Sequence, residues 1–225
     1  MWQIAVGGLI TIVTAVIVEY LRTPSLEFSI ENPPLDVIFR ENRPAREGRH
    51  LRLKLLNKPL PSWLQWLQRA AALQCRGLIT FHHLDDGHDV FDRAMVVRWA
   101  GTPEPLPIQA FSSDGVQIQI FDPMRITTES RIDIYPAESE LLDVAARFDN
   151  DEDCYGWNNE AYFSNPLWKN PSWRLMRGRY LVRVEVSSSG RKCVGFFRMI
   201  NDGVRSDFRL RPATSEEIQR IDRTV

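Results

Sequence analysis

Cysteine and histidine are scarce in this chain: 225 residues carry three cysteines and four histidines. The cysteines, at 75, 154 and 193, are odd in number and far apart, which excludes a disulfide framework. No CxxC pair offers a structural zinc site. One disulfide remains compatible with them, but buried thiols are the simpler reading and favour a reducing compartment. An excess of either charge is also lacking. Lys and Arg number 28 against 29 Asp and Glu, a net charge of -1. That excludes a global basic field for nucleic acid and the acidic surplus of a disordered chain. No GxSxG, HExxH, P-loop or GxGxxG occurs, and Ser187 to Ser189 fall in a turn with no evident base. There is no internal repeat and no low-complexity tract. The expectation is a protein that is not an enzyme and that carries no cofactor and no small-molecule substrate.

One long apolar run is present. Residues 2–21 read WQIAVGGLITIVTAVIVEYL, with no charge from Ile4 to Val18 and only Thr11 and Thr14 as polar side chains between them. As a helix of roughly 20 residues the run spans roughly 30 Å, the thickness of a hydrocarbon core. Trp2 and Tyr20 stand at its ends, where amphipathic rings prefer the headgroup layer. A cleaved signal peptide needs a basic n-region and a small-x-small site, and neither is there. A buried core helix needs one polar face, which is absent over four turns. Gly7 and Gly8 are adjacent, not four apart, so they form no helix-dimer motif. The sequence therefore predicts a single transmembrane helix over residues 1–22. Arg22, with Arg40 to Lys54 further on, places the following domain in the cytoplasm by the positive-inside rule.

Residues 23–49 are expected to be an extended juxtamembrane linker and first strand. Pro24, Pro33 and Pro34 oppose helix there, while Leu26, Phe28 and Ile30 alternate. In HLRLKLLN, 50–57, Leu51, Leu53 and Leu55 face one way and Arg52 and Lys54 the other, a half-buried strand. Trp63, Trp66, Leu67 and Ala70 follow a 3.6-residue period, with Ser62 as N-cap. This predicts a short helix between Pro61 and Cys75, its tryptophans either resting on a membrane interface or closing one end of the core. Strands are expected at 77–83, 94–100, 115–121, 131–136, 178–190, 192–201 and 206–212, with LDVAARFD, 141–148, ambiguous and 149–174 a loop. Thr214 and Glu217 have capping-box spacing, predicting a short C-terminal helix over 213–225. About eight short strands separated by turns predict an all-β antiparallel sandwich over 50–212.

The segment Leu175-x-x-Gly178-x-Tyr180-x-Val182-x-Val184-x-Val186, followed by a turn and another strand, resembles the penultimate-strand hairpin of immunoglobulin-like sandwiches. The resemblance is confined to residues 175–201 and departs from antibody domains at Val182, where they carry a disulfide cysteine. It implies that Tyr180 forms a tyrosine corner, its hydroxyl bonded to nearby backbone, with Gly178 suited to a turn of positive φ. It implies nothing about function.

Asp149, Asp151, Asp153 and Glu160 occupy positions 1, 3, 5 and 12 of a calcium-binding loop, with ELLDVAARF as its incoming helix. Cys154 stands where that loop wants Gly, and Ser164-Asn165-Pro166 stops the outgoing helix, so a solvated acidic loop is the simpler reading. His82, His83, Asp85, Asp86, His88, Asp89 and Asp92 hold metal and acid–base chemistry. Yet Asp86-Gly87 is a hairpin signal, and His82 and His83 point to opposite faces of a strand. No metal is expected in either cluster. Trp157, Trp168 and Trp173 lie in the long loop and either plug the sandwich or offer a partner-binding surface. Arg40, Arg43, Arg46, Arg49, Arg52 and Lys54 follow the anchor closely enough in sequence to be candidates for lipid contact. The expected function is a membrane-anchored interaction or accessory subunit with an unknown protein partner. A metal- or ligand-sensing domain built on 149–160 is the alternative.

Overall fold

The computed structural model describes residues 2–31, 37–39, 46–102, 108–111, 117–120, 131–148, 151–164, 169–189, 191–203 and 205–222. The chain opens with helix α1 (Trp2–Arg22), then β1 (Leu26–Glu31), β2 (Val37–Phe39) and β3 (Arg46–Asn57). A 3-10 turn at Ser62–Leu67 leads to β4 (Ala72–His83), β5 (Met95–Val96), β6 (Arg98–Trp99), β7 (Ile108–Phe111) and β8 (Gln117–Ile120). Next come β9 (Ile132–Ile134), β10 (Ser139–Phe148), β11 (Cys154–Gly156) and β12 (Arg174–Leu175). The chain closes with β13 (Gly178–Ser188), β14 (Arg191–Asn201), β15 (Arg209–Pro212) and α2 (Ser215–Asp222).

Two antiparallel sheets face each other. One runs β1-β3-β10-β11-β12, with β2 paired to β3 and β6 to β10. The other runs β15-β14-β13-β4-β5, with β9 paired to β4, and β7-β8 form a separate hairpin. The alternations read in the sequence face the core as expected. Leu51, Leu53 and Leu55 of β3 are buried, as are Tyr180, Val182, Val184 and Val186 of β13. Burial of each such aliphatic side chain contributes about 1.5–3 kcal/mol. Phe28 of β1 meets Phe197 of β14 edge to face at 6.0 Å, joining the sheets. Gly195 makes room for that pair, because a Cβ there would come within 2.7 Å of the Phe28 ring.

Three local expectations change. The segment LDVAARF, residues 142–148, is strand, not helix, and all of it is buried. Its lack of alternation has a physical cause: β10 lies inside its sheet and is covered on both sides. One side faces the main core, and Ala146 and Phe148 pack beneath Trp157 and Ala161 on the other. The segment after Pro61 forms only the 3-10 turn. Its N-cap is Pro61 with no side-chain cap bond, so Ser62 does not cap it. β4 starts at Ala72 and is irregular there: Gln74 takes φ 54 with its N–H donating to Asp133 Oδ1 at 2.7 Å. Gly178 does not have positive φ; among the described glycines Gly87 and Gly203 do.

The helix at the N-terminus forms, but the expected membrane span over it is not supported as it stands. Among the described residues no helix is long and apolar enough to cross a membrane. The side chains of α1 are described from Gly7 onward. At the other end of the chain the capping box is present, Thr214 N–H donating to Glu217 Oε2 at 2.8 Å and Glu217 N–H to Thr214 Oγ1 at 3.4 Å.

Tyr180 behaves as a corner. Its hydroxyl donates to Met176 O at 2.7 Å, its ring is buried, and burial pushes its pKa up to about 12. Tyr180→Phe should therefore cost about 1 kcal/mol through the lost hydrogen bond. Tyr180→Ala should cost about 3–5 kcal/mol as a truncated core aromatic. Arg183→Ala, on the opposite face with Glu185, should stay within about 0.5 kcal/mol. Chemical denaturation of the three variants of the full chain in mild detergent checks the order.

Candidate functional site

The acidic loop is tied down by its own neighbours. Asp149 lies outside the described residues. Asp151 pairs with Lys169, and Asp153 accepts from Arg174 Nε at 2.7 Å. Glu160 accepts from Trp173 Nε1 at 2.7 Å and from Asn170 Nδ2 at 3.3 Å. Cys154 sits in β11, buried, instead of in a sharp turn. The carboxylates are thus each engaged by a different cation or donor within residues 169–174. Among the described residues no group of three His, Cys, Asp or Glu is placed to hold a metal ion.

The tryptophans of this stretch divide. Trp157 and Trp173 are 2% and 3% exposed, so neither offers its ring to a partner. Trp157 stacks against His50 at 4.8 Å and Phe148 at 5.7 Å. Trp173 packs on Phe91 at 5.0 Å, with the Arg93 guanidinium 4.3 Å from its ring centre. Trp168 lies outside the described residues. The stretch 149–174 contains β11, two 3-10 turns and the start of β12, so it closes the fold more than it loops away.

His82 and His83 do lie on opposite faces. His82 is buried, its Nδ1–H donating to Gly87 O at 3.1 Å and its Nε2 hydrogen-bonded to Thr80 Oγ1 at 2.9 Å. Gly87 takes φ 77 in the turn, as Asp-Gly predicts. Asp86 and Asp89 cap backbone N–H groups of His88 and Phe91 at 3.0 Å. This is a turn stabilised by its own polar side chains.

The basic ladder is spread along a strand. Arg40 and Arg43 lie outside the described residues, and of Arg46 only the strand position is described. Arg49 Nη1 donates to Ser206 O at 2.6 Å, and Arg52 Nε to Asp143 Oδ1 at 2.7 Å. Lys54 is half-buried. α1 enters beside Asn57, at the other end of β3. At about 3.3 Å per residue, Arg49 is roughly 26 Å from that end and Arg52 roughly 16 Å. Nearness in sequence does not become nearness in space, because β1 runs down the sheet and β3 runs back.

Two constellations escaped the sequence reading. Asp143, 1% exposed, accepts from Arg52 and from Arg98 Nη1 at 3.0 Å, and Arg98 also donates to Thr102 O at 3.0 Å. The signal was available: one acid inside LLDVAA and one base inside VVRWA, each a charge in an apolar strand. The other is the joint between α1 and the sandwich. Ala70 N–H donates to Arg22 O at 2.6 Å, Arg69 Nη1 to Thr23 O at 2.7 Å, and Arg191 Nη2 to Thr23 Oγ1 at 3.0 Å. Trp63 and Trp66 are 73% and 76% exposed on the neighbouring 3-10 turn, so they do not close the core. Behind that turn is a cavity of about 320 Å³ between Leu60, Gln65, Gln68, Arg69, Pro136 and Ala137.

No family model, no curated protein and no solved structure matches the chain. The thiols carry no activated chemistry: burial pushes Cys75 up to about 11 and raises Cys154 and Cys193 as well.

Melting of the wild-type chain should not respond to excess Ca²⁺ or to chelator. Glu160→Ala should lower stability by about 1–3 kcal/mol in both conditions, because Trp173 Nε1 loses its acceptor. Calorimetry with and without Ca²⁺ checks both outcomes; a Ca²⁺-dependent rise in the wild-type midpoint contradicts the structural role. A second expectation concerns His50, which burial lowers from 6.5 to about 4. The unfolded chain takes up this proton first, so stability is complete above about pH 6.5 and falls as the pH drops towards 4. The loss is on the order of 3 kcal/mol, flattening below pH 4. His82 is lowered by burial too and adds to the same window. Urea titration across pH 4–7 should therefore show a shallower acid slope in His50→Phe than in wild type.

Proposed function

We propose that this chain is a membrane-anchored, non-enzymatic β-sandwich that acts as an interaction or accessory subunit for a protein partner at the membrane surface. The observation that carries the reading is the surface of α1. Every described residue from Gly7 to Ile17 is exposed and none is charged, with Leu9, Ile10, Ile12, Val13, Val16 and Ile17 the largest. Those six side chains together represent on the order of 10 kcal/mol of unrealised apolar burial. That rivals the whole net stability of a domain, so an apolar medium is the environment the helix fits. The run from Ile4 extends the same character.

The rest of the molecule supports a binding role over a chemical one. Among the described residues, Asp151, Asp153, Glu160, His82, Arg49 and Arg52 are engaged in holding strands and turns together. The strand orders β1-β3-β10-β6 and β14-β13-β4-β5 correspond to the A-B-E-D and G-F-C-C′ orders of immunoglobulin-like sandwiches, with Tyr180 on the F-equivalent strand. That favours the immunoglobulin-like reading of the fold. Exposed Arg22 beside the helix end and three free thiols favour a cytoplasmic domain.

The wild-type chain should stay in the membrane pellet after an alkaline wash. Ile10→Lys with Val13→Lys should release it, since each central lysine costs about 2.5–3.5 kcal/mol of insertion free energy. Recovery of wild type in the soluble fraction without detergent ends the anchor reading. Elution of a detergent extract from native membranes as the lone chain ends the partner reading.

A further inference from the structure

We infer that the end of the sandwich next to α1 is a lipid-headgroup surface. Trp63 and Trp66 enter the interfacial layer, and Arg22 and Arg191 face lipid phosphates. The inference rests on the anchor reading and adds to it a defined posture of the domain.

The 3-10 turn supplies the aromatic part. Residues three apart eclipse in a 3-10 helix, so Trp63 and Trp66 project from the same side. Leu64 and Leu67 are half-buried, whereas both indoles are about three-quarters exposed and the turn buries none of its residues. Two adjacent exposed tryptophans are costly in water, and the indole, apolar with one N–H donor, is suited to the boundary between acyl chain and headgroup.

The position of the turn supplies the second part. Ala70 N–H is bonded to Arg22 O, the last residue of α1. Trp66 is four positions before Ala70, so its Cα lies within about 14 Å of that joint. Arg69 fixes the approach by donating to Thr23 O. From the other sheet the tip of the β13–β14 hairpin comes to the same place. Arg191 bonds Thr23 and lies 5.7 Å from the ring of Tyr20, one turn up the helix. Ser189 N–H donates to O of Leu73, whose side chain is exposed. Tyr20, Trp63, Trp66 and Leu73 thus share one end with the exposed cations Arg22 and Arg191, while Lys192 beside them is paired with Glu185 at 2.8 Å. Aromatic rings mixed with long basic side chains at the end of an apolar helix complement an anionic headgroup layer in both polarity and charge.

The full chain is reconstituted into phosphatidylcholine–phosphatidylglycerol vesicles, with or without brominated acyl chains, and tryptophan emission is read. Trp2→Phe removes the indole at the far end of α1. Expected is clear bromine quenching in Trp2→Phe, lost when Trp63→Ser and Trp66→Ser are added, with the unfolding midpoint unchanged. If Trp2→Phe is unquenched, or the added substitutions leave the quenching intact, while the chain survives the alkaline wash, the headgroup surface is wrong and the anchor stands. Wash-out of every variant overturns the anchor and this surface with it.

Discussion

Asn57 is the residue on which the arrangement of the chain turns. It is fully buried at the end of β3, and its amide joins three segments distant in sequence. Oδ1 accepts from Ser25 N–H at 3.2 Å, and Nδ2 donates to Ala70 O and to Ile134 O, both at 3.1 Å. Its own backbone bonds Glu138 O at 3.1 Å and Ala137 N–H at 2.8 Å. Only an amide fits: aspartate lacks the two donors, and leucine leaves the buried Ile134 O unmatched at about 1–3 kcal/mol, with the part-buried Ser25 N–H and Ala70 O losing their partner as well. Ser25 continues from α1, Ala70 from the tryptophan turn, and Ile134 ends β9. One side chain therefore sets how the helix, the turn and both sheets meet.

The opposite end of the sandwich uses the same device with charge. Arg147, 3% exposed, donates to Asp151 O at 2.6 Å, to Asn201 Oδ1 at 3.0 Å and to Gly203 O at 2.8 Å. Asn201 passes the bonding on to Glu152 O at 3.0 Å and Met176 O at 3.3 Å, and Met176 O also receives Tyr180. Between these polar ends the core is apolar. The buried ion cluster of Asp143, on the strand that is covered on both sides, with Arg98 and Arg52 is one exception, and buried His50 and His82 are others. A buried ion pair of this kind is weak evidence for stability, but removing one partner leaves a charge without its match. It fixes the register of β10 against β3 and β6 more than it adds free energy.

These fixed ends bear on function because they make the domain's posture a property of its fold. A tether alone lets a domain tumble. The chain is bonded to the sandwich at Arg22 and Thr23 through Ala70, Arg69 and Arg191, so under the proposed anchoring the surfaces open to a partner are those facing away from the joint. The stretch 149–174, candidate contact surface by its tryptophans, has Trp157 and Trp173 turned inward, where they cover β10 and seat Arg93. Its ion pairs Asp151–Lys169 and Asp153–Arg174 are partly buried, with Arg174 the exposed member.

Much of the fold was legible because local periodicity reports local burial. Leu51-Leu53-Leu55, Tyr180-Val182-Val184-Val186 and the box at Thr214 and Glu217 need only neighbours in sequence to be read. LDVAARFD was not legible, since a strand covered on both sides loses its alternation and only the segment 157–163 explains the cover. The tryptophans at 63 and 66 were seen as an aromatic pair, but the spacing suggested a regular helix. Pro61 and the irregular start of β4 leave room for a single 3-10 turn. By itself the sequence determined the apolar helix, the β class and the corner tyrosine, all consequences of side-chain pattern along the chain. Only the tertiary structure decided that Arg49 and Arg52 stand far from α1 while Arg69 and Arg191 stand at its end. The direction in which each strand returns is fixed by pairing partners that no local pattern encodes.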